Sequence, residues 1–281
     1  MGRMAGRQLV GRSRAGLVPS GRRAAPGVQR DAHGGVMNPT SLLYWYPQVK
    51  GLVRTPQTII VRVDNRDAEE MLDQGLGAEL EAACRRAADA IGYPLFLRTD
   101  LISGKHSYLR TCKVPTPDEL MPHVGAVLED HALHLWLDGP EGNVNGLVFR
   151  ELLPLSAVFT AFHGLPIAPE RRYFIRDGEV VCHHPYWIDV DNIESGRPSV
   201  EDWRDLLEAV NFEKLSEREK LRRLSEKVSA VLDGAWSVDW ALANGDWYLI
   251  DMAVAHRSWH PEDCPHYEAM RQPIQQAEEA R

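Results

Sequence analysis

From Met37 onward the apolar positions alternate between a two-residue and a 3.6-residue repeat, the mark of mixed strands and helices. Residues 42–46 and 58–63 read as β-rich runs separated by Pro47, Gly51 and Pro56. Residues 78–91 then change period. Leu80, Ala83, Cys84, Ala87, Ala88 and Ile91 form one stripe, Glu79, Glu81, Arg85 and Arg86 lie opposite, and Gly92 ends the predicted helix. Leu95, Phe96 and Leu97 make a short strand that ends in Arg98 and Asp100. Ser103-Gly104-Lys105 follows as a turn, after which Tyr108 and Leu109 resume strand character. Thr116-Pro117-Asp118-Glu119 carries the cap, first-turn proline and acid of a helix start, and the helix is expected to reach about Trp136, with Pro122 bending or delaying it.

Residues 146–155 read as a buried strand interrupted by Arg150-Glu151. Unpaired charge is costly inside an apolar strand, so the pair belongs at an edge, in an internal ion pair or against a polar cleft. Residues 166–187 form a hairpin on Asp177-Gly178, with Glu170 and Arg172 on one face. Ser199 and Ser216 are expected to cap two helices, the second running to about Leu232. A last hairpin spans residues 236–253 on Asn244-Gly245, the strongest short hairpin signal in the chain.

Composition narrows the function. A chain of 281 residues with 44% hydrophobic content buries a large core. Its formal net charge is −8, yet residues 1–36 contribute +6 (seven arginines, one Asp31), which leaves −14 on the rest. An acidic body argues against a nucleic-acid clamp. The basic segment 1–36 has no secretory apolar run, though its composition is like that of an organellar transit peptide. It is expected to be disordered, with Met37 as a plausible alternative start. Cys84, Cys112, Cys182 and Cys264 show no metal-ligand spacing and fit reduced thiols in the cytoplasm. No run is long enough to span a membrane, and after Pro261 the chain reads as a polar tail.

Two stretches carry candidate chemistry. A glycine turn flanked by the guanidinium of Arg98 and the ammonium of Lys105 suits a polyphosphate, because phosphate oxygens accept from both. In the last hairpin Asp239 interrupts the first run and Asp251 ends the second. Two carboxylates brought together on paired strands repel each other and suit a hard divalent cation. His183 and His184 are adjacent on a strand and point to opposite faces, which argues against a shared ion.

The order PLFLRTDLISGKHS, VFRELLPL, PIAPERRYF with its Asp-Gly turn and HHPYW, then SVDWALANGDWYLIDMA resembles the ATP-grasp superfamily. Within it the chain is similar to the clade named for two arginines and a lysine, related to the ATP-grasp assembly factors of translation initiation. The resemblance runs from about Met37 to Trp259. It implies an α+β fold of two subdomains that hold ATP between them, with residues 37–151 as the N-terminal and first ATP-grasp subdomains and 152–260 as the second. It also implies phosphate contacts from Arg98 and Lys105, an adenine cradle opened by Arg150 and Glu151 with Leu153, and Mg2+ ligation by Asp239 and Asp251. One position departs from the pattern: the asparagine that usually follows the last acid is Ala253 here.

The expected activity is that of an ATP- and magnesium-dependent ligase. ATP would activate a small-molecule or peptide carboxylate as an acyl phosphate for attack by an amine, with Lys105 and Arg172 stabilising charge at the phosphoryl group. The alternative is an ATP-binding assembly factor or chaperone that closes on a protein partner without ligation.

Overall fold

A computed structural model describes residues 37–138 and 142–272. The basic extension 1–36, residues 139–141 and the end of the tail lie outside those residues. The chain begins with helix α1 (Leu42–Val49), then strand β1 (Thr58–Arg66) and helices α2 (Ala68–Gln74) and α3 (Ala78–Ile91). β2 (Leu95–Thr99), β3 (Lys113–Val114), the long α4 (Leu120–Asp138) and β4 (Val144–Glu151) complete a first antiparallel sheet in the order β1-β4-β2-β3. A short ribbon of β5 (Phe159–Ala161) and β6 (Leu165–Ile167) leads to β7 (Glu170–Arg176) and β8 (Glu179–Pro185). Helices α5 (Val190–Ser195), α6 (Trp203–Asn211) and α7 (Leu215–Ser229) intervene before β9 (Ala235–Ala243) and β10 (Asp246–Val254). These close a second sheet in the order β10-β9-β7-β8, and α8 (Tyr267–Arg271) follows.

The helix over 78–91 and both second-sheet hairpins form where the sequence predicts them. At the two hairpin turns Asp177, Gly178, Asn244 and Gly245 all adopt positive φ, as two-residue turns between twisted strands demand.

Elsewhere packing overrides local preference. Residues 42–46, read as a strand, form α1: Ser41 accepts the Leu43 N–H at 3.2 Å, and Leu42, Trp45, Tyr46 and Val49 bury one helical face. Tyr108 and Leu109 do not resume a strand. The chain makes one tight helical turn at Lys105–Ser107 and reaches β3 only at Lys113. Arg150 and Glu151 end β4 rather than interrupt a longer strand. Ser199 accepts the Thr160 N–H at 3.0 Å instead of capping a helix, and Ser216 lies inside α7, which stops at Ser229. Within the polar stretch after Pro261, α8 buries Met270 against Phe174, Ala235 and Ala255.

The core under the second sheet joins the two halves. Leu42, Trp45, Tyr46 and Val49 of α1 pack with Tyr173, Trp236, Val238 and Trp240 of the second sheet and with Val148 of the first. Asp100, fully buried just after β2, ties α1 to the first sheet: it accepts from the Ser41 hydroxyl at 2.5 Å and from the N–H groups of Asn145 and Gly146 at 2.9 and 3.1 Å.

Candidate functional site

Register lines up one row of chemistry across the second sheet. Asp251 on β10 lies opposite Asp239 on β9, Asp239 opposite Arg172 on β7, and Arg172 opposite His184 on β8. Directly opposed residues share a face, so four strands present acid, acid, guanidinium and imidazole in sequence. Glu170, two residues before Arg172, joins the same face.

The two acids are not left to repel each other. Arg172 grips Asp239 with both nitrogens of a fork, Nε to Oδ1 at 2.8 Å and Nη2 to Oδ2 at 2.7 Å. Arg98 reaches across from the first sheet to Asp251 Oδ1 at 2.9 Å and also donates to the carbonyls of Thr99 and Leu101. Arg98 is thus a buried tie between the sheets. Burial alone would lower the Arg172 guanidinium, but Asp239 outweighs it and holds it above its ordinary value.

Lys105 opens the tight helical turn that follows Gly104. Its Nζ donates to the Tyr186 hydroxyl at 2.6 Å and lies 4.0 Å from that ring's centroid. Arg172 approaches the same ring, 4.7 Å from centroid to Cζ. Burial disfavours the Lys105 charge, yet Tyr186, Glu170 and Asp239 more than offset it and raise its pKa. Gly104 holds this placement: it adopts left-handed φ of +63°, and a Cβ there would stand 3.1 Å from Asp130 Oδ2.

Among the described residues, two cleft side chains carry an unsatisfied polar atom. Arg150 donates to Thr58 Oγ1 and to the Ile250 carbonyl, but its Nη2 is buried without a partner. Burial, reinforced by Arg98, pulls its pKa down to about 10, still charged at neutral pH. Glu170 Oε2 is likewise buried and unpartnered. Burial pushes this carboxyl up to about 7, Lys105 opposing and Asp239 adding to the rise. Buried polar groups are seldom left so. One orphan seeks an acceptor and the other a proton or a cation, so both fit a ligand that brings phosphate oxygens and a metal.

One cleft between the sheets collects these groups. Arg98, Lys105, Arg150, Glu151, Leu153, Asp239 and Asp251 all line it, with Phe96, Tyr108, Leu152, Leu155, Ile250 and Trp187 as apolar walls. Glu151 is pinned at the linker: its N–H donates to the Gln57 carbonyl at 3.0 Å while its Oε1 accepts the Gln57 N–H at 3.1 Å. Arg172 stands beside this cleft, lining a neighbouring hollow with Lys105, Tyr186 and Trp259. Sequence reasoning placed Glu170 on the Arg172 face without giving it a role, and it missed Tyr186. The Tyr-Trp pair just after β8 was the signal for the tyrosine.

No protein-family model matches the sequence, and no curated protein sequence matches it. Solved structures do. Cdc123 from Schizosaccharomyces pombe superposes with a TM-score of 0.51 at 13% identity, covering 76% of this chain and 82% of that one. A C-terminally truncated form of the same yeast protein gives 0.50 at 15% identity over the same shares. D-alanine–D-alanine ligase from Bacillus anthracis gives a lower TM-score of 0.42 at 14% identity, covering 76% of this chain and 55% of that one.

Proposed function

Because the chain has the α+β ATP-grasp fold and resembles Cdc123 in structure, we propose that its inter-sheet cleft binds ATP with magnesium and transfers the terminal phosphoryl group to a carboxylate. The observation that carries this reading is the meeting of Arg98, Lys105 and Arg150 with Glu170, Asp239 and Asp251 in one cleft. Cations flank where phosphate oxygens would lie, and carboxylates supply hard oxygen donors on the other side. Leu152, Leu153 and Leu155, with Phe96 and Ile250, offer an apolar slot for a purine beside the Glu151 linker.

Asp239 and Asp251 would hold the magnesium, with Glu170 as an added carboxylate once ionised. Bound there, the ion neutralises charge that builds on the phosphoryl oxygens. Lys105 and the free Nη2 of Arg150 would bind phosphate oxygens. Arg172 holds Asp239 in place and adds positive charge beside the acceptor. In the ligase reaction the carboxylate attacks phosphorus and ADP leaves. An amine then attacks the acyl carbon, phosphate departs and the amine loses a proton. No protein nucleophile is required. The acceptors are a small-molecule or peptide carboxylate and an amine, in a cytoplasmic setting.

A second reading keeps ATP binding and drops ligation: the cleft closes to present a surface to a protein partner. Ala253 favours it by removing a metal ligand, as does the two-point grip of Arg172 on Asp239. ATP with magnesium should raise the melting temperature by several degrees, and Lys105→Met or Arg150→Met should shrink the rise. Hydroxylamine would trap an acyl phosphate as a hydroxamate when ATP and a pool of carboxylates are supplied. A thermal shift without hydroxamate selects the second reading, and no shift at millimolar ATP overturns both.

A further inference from the structure

Cys182, His260 and Cys264 come from distant parts of the chain, yet their ligand atoms lie within 4.8 Å of one another. Cys182 is on β8, opposite Phe174 of β7. His260 and Cys264 belong to the segment between β10 and α8, in the run His-Pro-Glu-Asp-Cys, whose turn is closed by the Cys264 N–H donating to the Pro261 carbonyl at 3.2 Å. His260 Nε2 is 3.4 Å from Cys182 Sγ, and its ring stacks on Phe174 with centroids 4.1 Å apart. The imidazole is therefore aimed at the thiols and fixed in plane.

This group is also incompletely satisfied as it stands. His260 is only 4% exposed, and among the described residues its Nδ1 is buried without a hydrogen-bond partner and its Nε2 meets only a weakly bonding thiol. Both cysteines are half-buried and free, so an ion could enter from solvent. Sulfur and imidazole donors select a softer metal than the carboxylates of the cleft do. Tetrahedral zinc, with bonds of about 2.3 Å to sulfur and about 2.0 Å to nitrogen, spaces its ligands by roughly 3.5–4 Å. Small side-chain rotations would bring the three donors to that spacing.

We propose that Cys182, His260 and Cys264 form a zinc site of two thiolates and one imidazole, with water completing the tetrahedron. Two thiol protons leave as zinc binds, so the site with its three protein ligands is electrically neutral. The ion staples the segment after β10 to the outer strand of the second sheet. That segment includes Trp259, whose carbonyl accepts from Arg172 Nη1 at 3.1 Å, so the staple also braces the arginine beside the cleft. Sequence spacing concealed the site, because only the fold of the segment after β10 brings Cys264 to Cys182.

The test uses the full chain purified under reducing conditions without chelator. Elemental analysis should find one zinc per chain, and cobalt substitution should give a thiolate-to-metal charge-transfer band. Loss of a second-shell partner weakens zinc sites about 10–100-fold, so Cys182→Ser and Cys264→Ser should each weaken binding by more than about 100-fold. Cys84→Ser and Cys112→Ser should leave it unchanged. Zinc should also slow alkylation of Cys182 and Cys264 in the unmutated protein, a readout that does not depend on variants folding. The proposal is overturned if the chain binds neither zinc nor cobalt, if all four variants bind alike, or if Cys182 and Cys264 form a disulfide in the presence of equimolar zinc. None of these outcomes bears on ATP binding.

Discussion

Asp251 and Glu170 face the same cleft with opposite consequences for stability. Read from the sequence alone, neutralising Asp251 should relieve repulsion from Asp239. The structure reverses that expectation, because Asp251 is the counter-ion of Arg98, whose side chain is 4% exposed. Asp251→Asn leaves a buried guanidinium short of charge and should lower the stability of the ligand-free protein by about 1–3 kcal/mol, discounted because the carboxylate itself is partly exposed. Denaturant unfolding measures this directly, and an unchanged midpoint would count against the tie. Glu170 works the other way. Its folded pKa of about 7 lies above the ordinary 4.5, so the native state holds a proton that the unfolded chain releases. Stability should therefore be highest below about pH 4.5 as far as this group is concerned, fall as pH rises to about 7, and then level. Glu170→Gln should flatten that part of the pH profile and leave the protein equally or more stable at pH 8. A profile with the same slope in both proteins would show that Glu170 is ionised throughout.

At the scale of elements, legibility followed how local the cause was. The helix over 78–91 and the turns at Asp177-Gly178 and Asn244-Gly245 are fixed by residues a few positions apart, and all three form where the pattern puts them. The row from Asp251 to Arg172 was half legible: alternation put Glu170 and Arg172 on one face, but nothing in the sequence says that β7 pairs with β9. The stretch after the Ser103–Lys105 turn was misread because side-chain bonds across the loop set its shape, and these leave no mark on the alternation of apolar residues. Thr111 Oγ1 donates to the Gly104 carbonyl at 2.6 Å, and the Cys112 thiol donates to the Ser103 carbonyl at 2.9 Å. Gly104 is the element's weak point. Gly104→Ala adds left-handed strain and a Cβ 3.3 Å from Thr111 Cβ, together about 1–2 kcal/mol. Because the strain falls on the residue before Lys105, the variant should lose more of its ATP-induced thermal shift than its drop in stability explains. A shift of unchanged size would separate the turn from the cleft.

The whole molecule is held by α1, the element that the sequence placed in the wrong class. Aromatic Tyr44, Trp45 and Tyr46 read as strand formers, and only the space between the sheets makes a helix of them. That helix belongs to neither half alone. Its Ser41 end is fixed to the first sheet through Asp100, while Leu42, Trp45, Tyr46 and Val49 lie in a core with Trp236, Trp240 and Tyr173 of the second and Val148 of the first. Near Glu151 the chain changes sheet, and α1 with Val148 couples the cluster under the second sheet to the first, which also keeps a cluster of its own around Leu97, Leu128 and Phe149. Two sheets bridged by α1 should unfold together, so tryptophan fluorescence, which sums eight indoles, among them Trp45 of α1 and Trp236, Trp240 and Trp247 of the second sheet, should trace the same denaturant transition as helical circular dichroism. Trp45→Ala should move both traces equally, with a loss of about 3–5 kcal/mol for a fully buried indole. Separation of the two traces in the unmutated protein would mean that the sheets are independent units. The Arg98–Asp251 pair would then have to form on docking, and the cleft would open whenever either sheet unfolded.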